Sequence, residues 1–189
     1  MSDELIEALL SEADERMKKS VENSREKLGT VRTGRASPAL LDRIQVDYYG
    51  TQTPINQTAN IAATEARLLT ISPYDKSALP AIEKAILDSD LGLTPSNDGN
   101  VVRIQIPELT EERRTEMVKQ AKHLAEEGRV AIRNIRRDTM HEMKELRTSG
   151  DVGEDEEKRG EDDLQKLTDK HVGEVDAQLQ HKEADLLEV

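Results

Sequence analysis

Residues 110–146 read TEERRTEMVKQAKHLAEEGRVAIRNIRRDTMHEMKEL, and their periodicity decides the architecture. Met117, Ala121, Leu124, Gly128, Ile132, Ile135, Thr139, Met143 and Leu146 recur at spacings of three and four, so they share one side of a helix. Thr110-Glu111-Glu112 opens the pattern and Ser149-Gly150-Asp151 breaks it. At about 1.5 Å per residue, this stretch makes a rod of roughly 55 Å.

Such a rod cannot bury its stripe alone. Upstream, Ile6, Leu9, Ala13, Met17, Ser20, Ser24 and Leu28 repeat with the same spacing, which predicts a first amphipathic helix with Ser2 as its cap and Asp3 and Glu4 beside the positive end of its dipole. Downstream, a third helix is predicted over 154–187, with Leu164, Leu167, His171, Val175, Leu179 and Leu186 turned inward. Gly160 and Gly173 inside it each cost roughly 1 kcal/mol against Ala, so this helix relies on packing. Three amphipathic helices with matching stripes make a three-helix bundle.

Between the first two helices the period changes. Ile44, Val46 and Tyr48 alternate with polar residues, and β-type runs follow at 68–71 and 101–106, which predicts strands. Gly50, Pro54, Pro73, Pro95 and Asn97-Asp98-Gly99-Asn100 read as turns, the last as a hairpin link. One helix interrupts them: Asp75 or Ser77 caps it, Pro80 sits near its start, Leu79, Ile82 and Ile86 share a face, and Gly92 lies past its end. The fold class is therefore α+β, an elongated three-helix bundle (1–30 and 107–189) interrupted by an inserted β-rich module (31–106). Two short tethers, near 30–32 and 106–109, join module to bundle and make a natural hinge.

Composition narrows the function. The chain has no cysteine and a formal net charge of −12, which removes disulfides, thiolate nucleophiles and Cys-ligated zinc. Met1-Ser2-Asp3-Glu4 lacks the features of a secretory signal, and no run approaches the roughly 18 apolar residues of a membrane span, so a soluble, cytoplasmic protein without a membrane partner is expected. Tyr48, Tyr49 and Tyr74 are the only aromatics, too few for a base-stacking surface. His123, His141, His171 and His181 form no His-x-x-x-His pair, and neither a nucleophile elbow nor a glycine-rich phosphate loop is present, so no catalytic residue, metal ligand or cofactor is expected. Glu154-Asp155-Glu156-Glu157 and Glu161-Asp162-Asp163 lack the ligand spacing of a calcium loop and read as a solvated face favouring a helix N-terminus.

One stretch stands against the acidic balance. Arg129, Arg133, Arg136 and Arg137 fall within residues 128–137 without an intervening acid. Arg129, Arg133 and Arg136 stand at i, i+4 and i+7 on one face, with Lys122 and Lys144 extending the ridge. Like charges at these spacings repel, so folding alone gives no reason to gather them. A phosphate backbone gives one, because guanidinium forks hold phosphate oxygens without reading bases. Pairing with Glu126, Asp138 or acids of a neighbouring helix is the equally open alternative.

Several motifs now combine. Arg32-Thr33-Gly34-Arg35-Ala36-Ser37-Pro38 and Val130-Ala131-Ile132-Arg133-Asn134-Ile135-Arg136-Arg137-Asp138 resemble the hinge and long-helix signatures of the ribosome recycling factor family, with Tyr48-Tyr49-Gly50, Ser89-Asp90-Leu91-Gly92-Leu93 and Pro107-Glu108-Leu109-Thr110-Glu111-Glu112-Arg113-Arg114 matching in order. The resemblance implies an L-shaped molecule with a β/α/β module at the corner, and a non-enzymatic monomer. It implies binding to large-subunit ribosomal RNA through the bundle, and ribosome splitting with elongation factor G and GTP. It assigns Arg133 and Arg136 as main RNA contacts, with Arg129, Arg114 and Lys122 as helpers, and places Thr30, Val31, Arg32, Thr33, Gly34, Arg35, Ile106 and Pro107 at the hinge. Arg32 and Arg35 are expected to combine RNA contact with fixing the angle between modules, with Gly34 supplying backbone freedom between them. A protein-docking scaffold and an RNA hydrolase are the rival functions, the latter weakened by the lack of a paired acid and base.

Overall fold

A computed structural model describes residues 2–187, with the side chain of Ser2 outside the described set; the expected Ser2 cap therefore lies outside it as well. The chain forms two compact units: residues up to Thr33 together with those from Glu111 onward, and Gly34–Thr110. Each crossing falls a few residues beyond the positions that hydropathy alone suggests.

The first unit is a three-helix bundle of α1 (Ser2–Gly29), α4 (Glu111–Ser149) and α5 (Glu154–Leu187). Asp14 of α1 meets His171 of α5, and Val21 meets Gln178, so these two helices run parallel. Between them α4 runs the other way, pairing Lys27 with Glu127 and Arg129 with Asp176. Ile6, Ala13, Met17, Val21, Ile132, Met143, Leu164 and Val175 form the core. Val21 and Ala125, which the stripes read from sequence pass over, are buried, whereas Leu9, Leu124 and Leu146 are only half-buried.

Two glycines let the helices approach. A Cβ added at Gly128 would stand 2.9 Å from Ser24 Oγ, and one at Gly160 would stand 2.8 Å from Ile6 Cγ2 and 3.3 Å from Met143 Sδ. Gly160 is thus a contact point rather than a weakness. Gly173 is exposed with nothing within 4 Å of such a Cβ, so it carries the helical cost of glycine without that return.

The turn from α4 to α5 is short because it is self-satisfied. Gly150 adopts φ +86°, and hydrogen bonds from Gly150 N to Arg147 O and from Asp151 N to Leu146 O, both 3.0 Å, close the helix as a Schellman motif. Buried Val152 follows, and Glu156 reaches back to accept from Gly153 N at 2.8 Å, satisfying an orphan donor of the new helix.

The inserted unit is β/α/β in character, with six strands and a helix against them. β1 (Gln45–Tyr48) and β2 (Thr51–Pro54) form a hairpin. Its two-residue turn places both Tyr49 (φ 50°) and Gly50 (φ 81°) in the left-handed region, the geometry that matches strand twist. β3 (Ala59–Glu65), β4 (Leu68–Pro73), β5 (Pro95–Asn97) and β6 (Val102–Gln105) make an antiparallel sheet in the order β3-β4-β6-β5. The α3 helix (Leu79–Leu87) buries Leu79, Ile82 and Ile86 in the core with Leu69, Ile71, Val102 and Ile104. Asp75 caps the 3-10 turn ahead of α3, accepting from Ser77 N at 2.9 Å.

Three features depart from the sequence reading. Alternation does not mark β2, β3 or β5, because TQTP, ANIAATE and PSN offer few large apolar residues. Pro54 and Pro73 end strands and Pro95 begins one; at strand ends and on the edge strand β5 a missing N–H is tolerated. A second, single-turn helix, α2 (Ile55–Thr58), joins the one helix expected here, too short to show a period, with Ile55 and Thr58 buried. No helix among the described residues is long and apolar enough to cross a membrane.

Candidate nucleic-acid interface

The acid-free run of α4 presents two faces. Lys122, Arg129 and Arg136 are seven residues apart, about two helical turns each, so they form one line. That line faces α5. Arg129 donates from Nε to Glu126 at 2.8 Å and from Nη1 to Asp176 at 2.6 Å, and its side chain is only 18% exposed. Lys122 stands 3.6 Å from Glu183, and Arg136 donates from Nη1 to Gln165 Oε1 at 2.6 Å. Pairing with acids of the neighbouring helix therefore holds for Lys122 and Arg129, whereas Arg136 meets an amide of α5.

Arg133 differs. Its side chain is 51% exposed, and among the described residues it reaches only Glu126, at 3.1 Å. Glu126 serves two arginines, and its carboxyl is held below the ordinary range, first by the hydrogen bond from Arg129 and then by Arg133. The Arg129 guanidinium is held above its ordinary value, chiefly by Glu126, against the opposing effect of burial. Arg136 is intermediate: half-buried, bound to a neutral amide, with its Nε buried and unpartnered. A guanidinium tied to an amide gives up less on moving to a phosphate than one tied to two carboxylates. Arg114 lies half-buried in the first turn of α4, well away from this group.

The expected hinge residues fall on both sides of the first crossing. Thr30 and Val31 close α1 by donating to Lys27 O and Leu28 O, both at 3.1 Å. Arg32 and Arg35 are exposed. Gly34 takes φ +74°, and a Cβ there would meet Leu109 Cγ at 3.2 Å, so both conformation and space call for glycine. Ile106 is buried and donates to Arg67 O at 2.8 Å, while Pro107 is exposed.

Sequence reasoning placed His171 inward without finding its role. It is fully buried, with Nε2 2.7 Å from Asp14 Oδ1 and Nδ1 3.3 Å from Glu174 Oε2. Lys18 and, second, His171 hold the Asp14 carboxyl below its ordinary value. Nothing in the spacing of α5 reveals this node, since the partner lies 157 positions away.

Comparison with known proteins places this geometry in context. A family model described as ribosome recycling factor matches residues 10–187. The ribosome-recycling factor of Rubrobacter xylanophilus is 56% identical over 180 residues, covering 95% of this chain and 97% of the relative. A solution structure of the ribosome recycling factor superposes with a TM-score of 0.77 at 42% identity, covering 97% of this chain and 98% of the other. A further structure is described as models for the T. thermophilus ribosome recycling factor and the E. coli elongation factor G bound to the E. coli post-termination complex. It matches with a TM-score of 0.66 at 46% identity, over 97% and 99% of the two chains.

Proposed function

Because the chain belongs to the ribosome recycling factor family, we propose that it binds the post-termination ribosome on the large subunit and, with elongation factor G and GTP, promotes splitting into subunits and release of messenger and transfer RNA. It is a non-enzymatic translation factor, and the GTP chemistry belongs to its partner. The structural relative described with elongation factor G on a post-termination complex supports these partners. In this reading the chain works as a cytoplasmic monomer.

The bundle is the ribosomal RNA-binding rod. One observation carries this: Arg133 is a half-exposed guanidinium at the centre of an acid-free run in an otherwise acidic chain. Arg133 leads, and Arg136 joins it by leaving Gln165. Arg114 and Lys122 assist at a distance, and Arg129 contributes mainly by holding Glu126 and Asp176. Thr30, Val31, Arg32, Thr33, Gly34, Arg35, Ile106 and Pro107 serve as the hinge on which the inserted module turns.

Substituting Arg133→Ala or Arg136→Ala tests the reading. Each variant should fold normally and bind large ribosomal subunits more weakly, with a shallower dependence of affinity on salt, because phosphate contacts release counterions. Wild-type affinity in both variants would refute it. Cysteine cross-linking of the two units should preserve binding and block splitting; full splitting activity when cross-linked would remove the hinge from the mechanism.

A further inference from the structure

The Asn97-Asp98-Gly99-Asn100 link of the inserted unit holds a reactive pair. Asp98-Gly99 is the only Asp-Gly step in the chain, and there is no Asn-Gly step. It lies at the tip of the hairpin that joins β5 to β6, where residues 96–100 are all exposed. Gly99 takes φ +87°, and nothing stands within 4 Å of the place a Cβ would occupy. Glycine suits such a turn, and it also leaves the backbone nitrogen that follows Asp98 without a shielding side chain.

An aspartate followed by glycine can isomerise without an enzyme. The Gly99 nitrogen, losing its proton, bonds to Asp98 Cγ; a Cγ–O bond breaks and water leaves, giving a succinimide ring. Water then opens the ring. Where it enters at the former main-chain carbonyl, the peptide runs on through Cβ and Cγ and the residue is isoaspartate; at the other carbonyl, aspartate is restored. One water leaves and one returns, so neither mass nor oxidation state changes.

The hairpin restrains both partners of this step. Asp98 Oδ2 accepts from Arg103 Nη1 at 2.6 Å, and Oδ1 accepts from Asn100 N and Val101 N, each at 3.0 Å. Gly99 N donates to Asn97 Oδ1 at 3.2 Å, and Asn97 is itself anchored, with Nδ2 donating to Glu83 Oε2 of α3 at 2.7 Å. The hydrogen bond from Arg103, followed by those from Val101 and Asn100, holds the Asp98 carboxyl far below its ordinary range. Only the neutral acid gives up its oxygen readily to an amide nitrogen, and each unit of depression thins that form about tenfold. We propose that Asp98-Gly99 is a site of spontaneous isomerisation to isoaspartate and that Arg103 is the residue that restrains it. The product carries its carboxylate on Cα and one extra carbon in the main chain, so the turn that Asp98 Oδ1 builds with Asn100 N and Val101 N is lost. The change falls on β5, an edge strand of three residues paired to β6 through Pro95, Ser96 and Asn97.

The test incubates the full chain in warm, near-neutral buffer, folded in one series and denatured in another. Isoaspartate is read by enzymatic methylation of isoaspartyl carboxylates, and its position by loss of cleavage before Asp98 with an aspartate-specific protease. In the unmodified protein it should build up at Asp98, and more slowly in the folded series than in the denatured one. Arg103→Gln should raise the folded rate by roughly tenfold, the effect of one unit in the carboxyl pKa, and leave the denatured rate unchanged. Arg103→Lys, which keeps a cation, should fall between the two. Asp98→Glu, which closes such a ring far less readily, should abolish the signal. A folded Arg103→Gln rate equal to that of the unmodified protein would remove Arg103 as the restraint. Isoaspartate arising first at any other aspartate of the folded chain would overturn the site itself. Circular dichroism and unfolding midpoints establish that each variant is folded during its incubation, so that a faster rate reports the lost clamp and not a lost fold.

Discussion

Arg129 and Arg133 are the same side chain one turn apart on the same helix, yet the bundle surrounds them differently. Arg129 lies on the line that meets α5 and is spent on Glu126 and Asp176. Arg133 lies some 40° further round and keeps half its surface in water. What separates a structural cation from one free to meet a ligand is the position of the neighbouring helix, and a rotation smaller than half a turn decides it. The seam side of α4 is a packing surface that holds charge; on the outward side Arg133, Arg137 and Lys144 are exposed.

The largest effect that tests this division comes from the core beneath both faces. Ile132→Ala, at a fully buried position between the two arginines, should lower unfolding stability by about 2–5 kcal/mol, read from the denaturant midpoint, while ribosome affinity per folded molecule stays the same. A fall in affinity with no loss of stability would mean that packing and binding surfaces are not separate.

The arginines themselves give a smaller effect. Arg129→Ala should cost about 1 kcal/mol of stability, because both its acids can be rehydrated at the surface. Arg133→Ala should stay within about 0.5 kcal/mol of the unmodified protein. Equal losses in the two variants would erase the distinction drawn above.

Two glycines of α5 sharpen the comparison between packed and open faces. Gly173→Ala should raise stability by up to about 1 kcal/mol, as the new methyl meets open space on a helix. Gly160→Ala should lose stability instead, since its methyl would stand 2.8 Å from Ile6 Cγ2. A gain at Gly160 would show that α1 and α5 yield more readily than their packing suggests.

The smallest effect is that of pH on the node between α1 and α5. Asp14 is held below its ordinary value near 3.8 by Lys18 and then His171. A carboxyl depressed in the folded state contributes stability that is complete above its unfolded value and lost as pH falls through the folded one. The stability difference between the protein and Asp14→Asn should therefore be full above about pH 4–5 and narrow steadily below it. A difference constant through the acid titration would mean that Asp14 acts by shape alone.

Much of this was legible in the chain because helical packing writes itself as period. The stripes of α1, α4 and α5, the break at Gly150 and the helix with Leu79, Ile82 and Ile86 all follow from spacing. The second hairpin strand and the edge strands left no such mark, since strands of Thr, Ala, Ser and Asn are held by ladder hydrogen bonds rather than by side-chain burial. Of the candidate site, the gathering of arginines was legible, but their division was not. Spacings of four and seven place Arg129, Arg133 and Arg136 on one face, and that face is wide enough to straddle the edge of a seam.

Sequence by itself determined that there would be three long amphipathic helices, an interrupting β-rich insert, and an acid-free cationic run on the longest helix, because each is a local pattern of charge and hydropathy. Only the tertiary structure decided which cations remain available, that Gly160 and Gly128 are close-contact points, and that His171 meets Asp14. These depend on which residues of distant segments come within a few ångströms of one another, and a one-dimensional pattern carries no such distance.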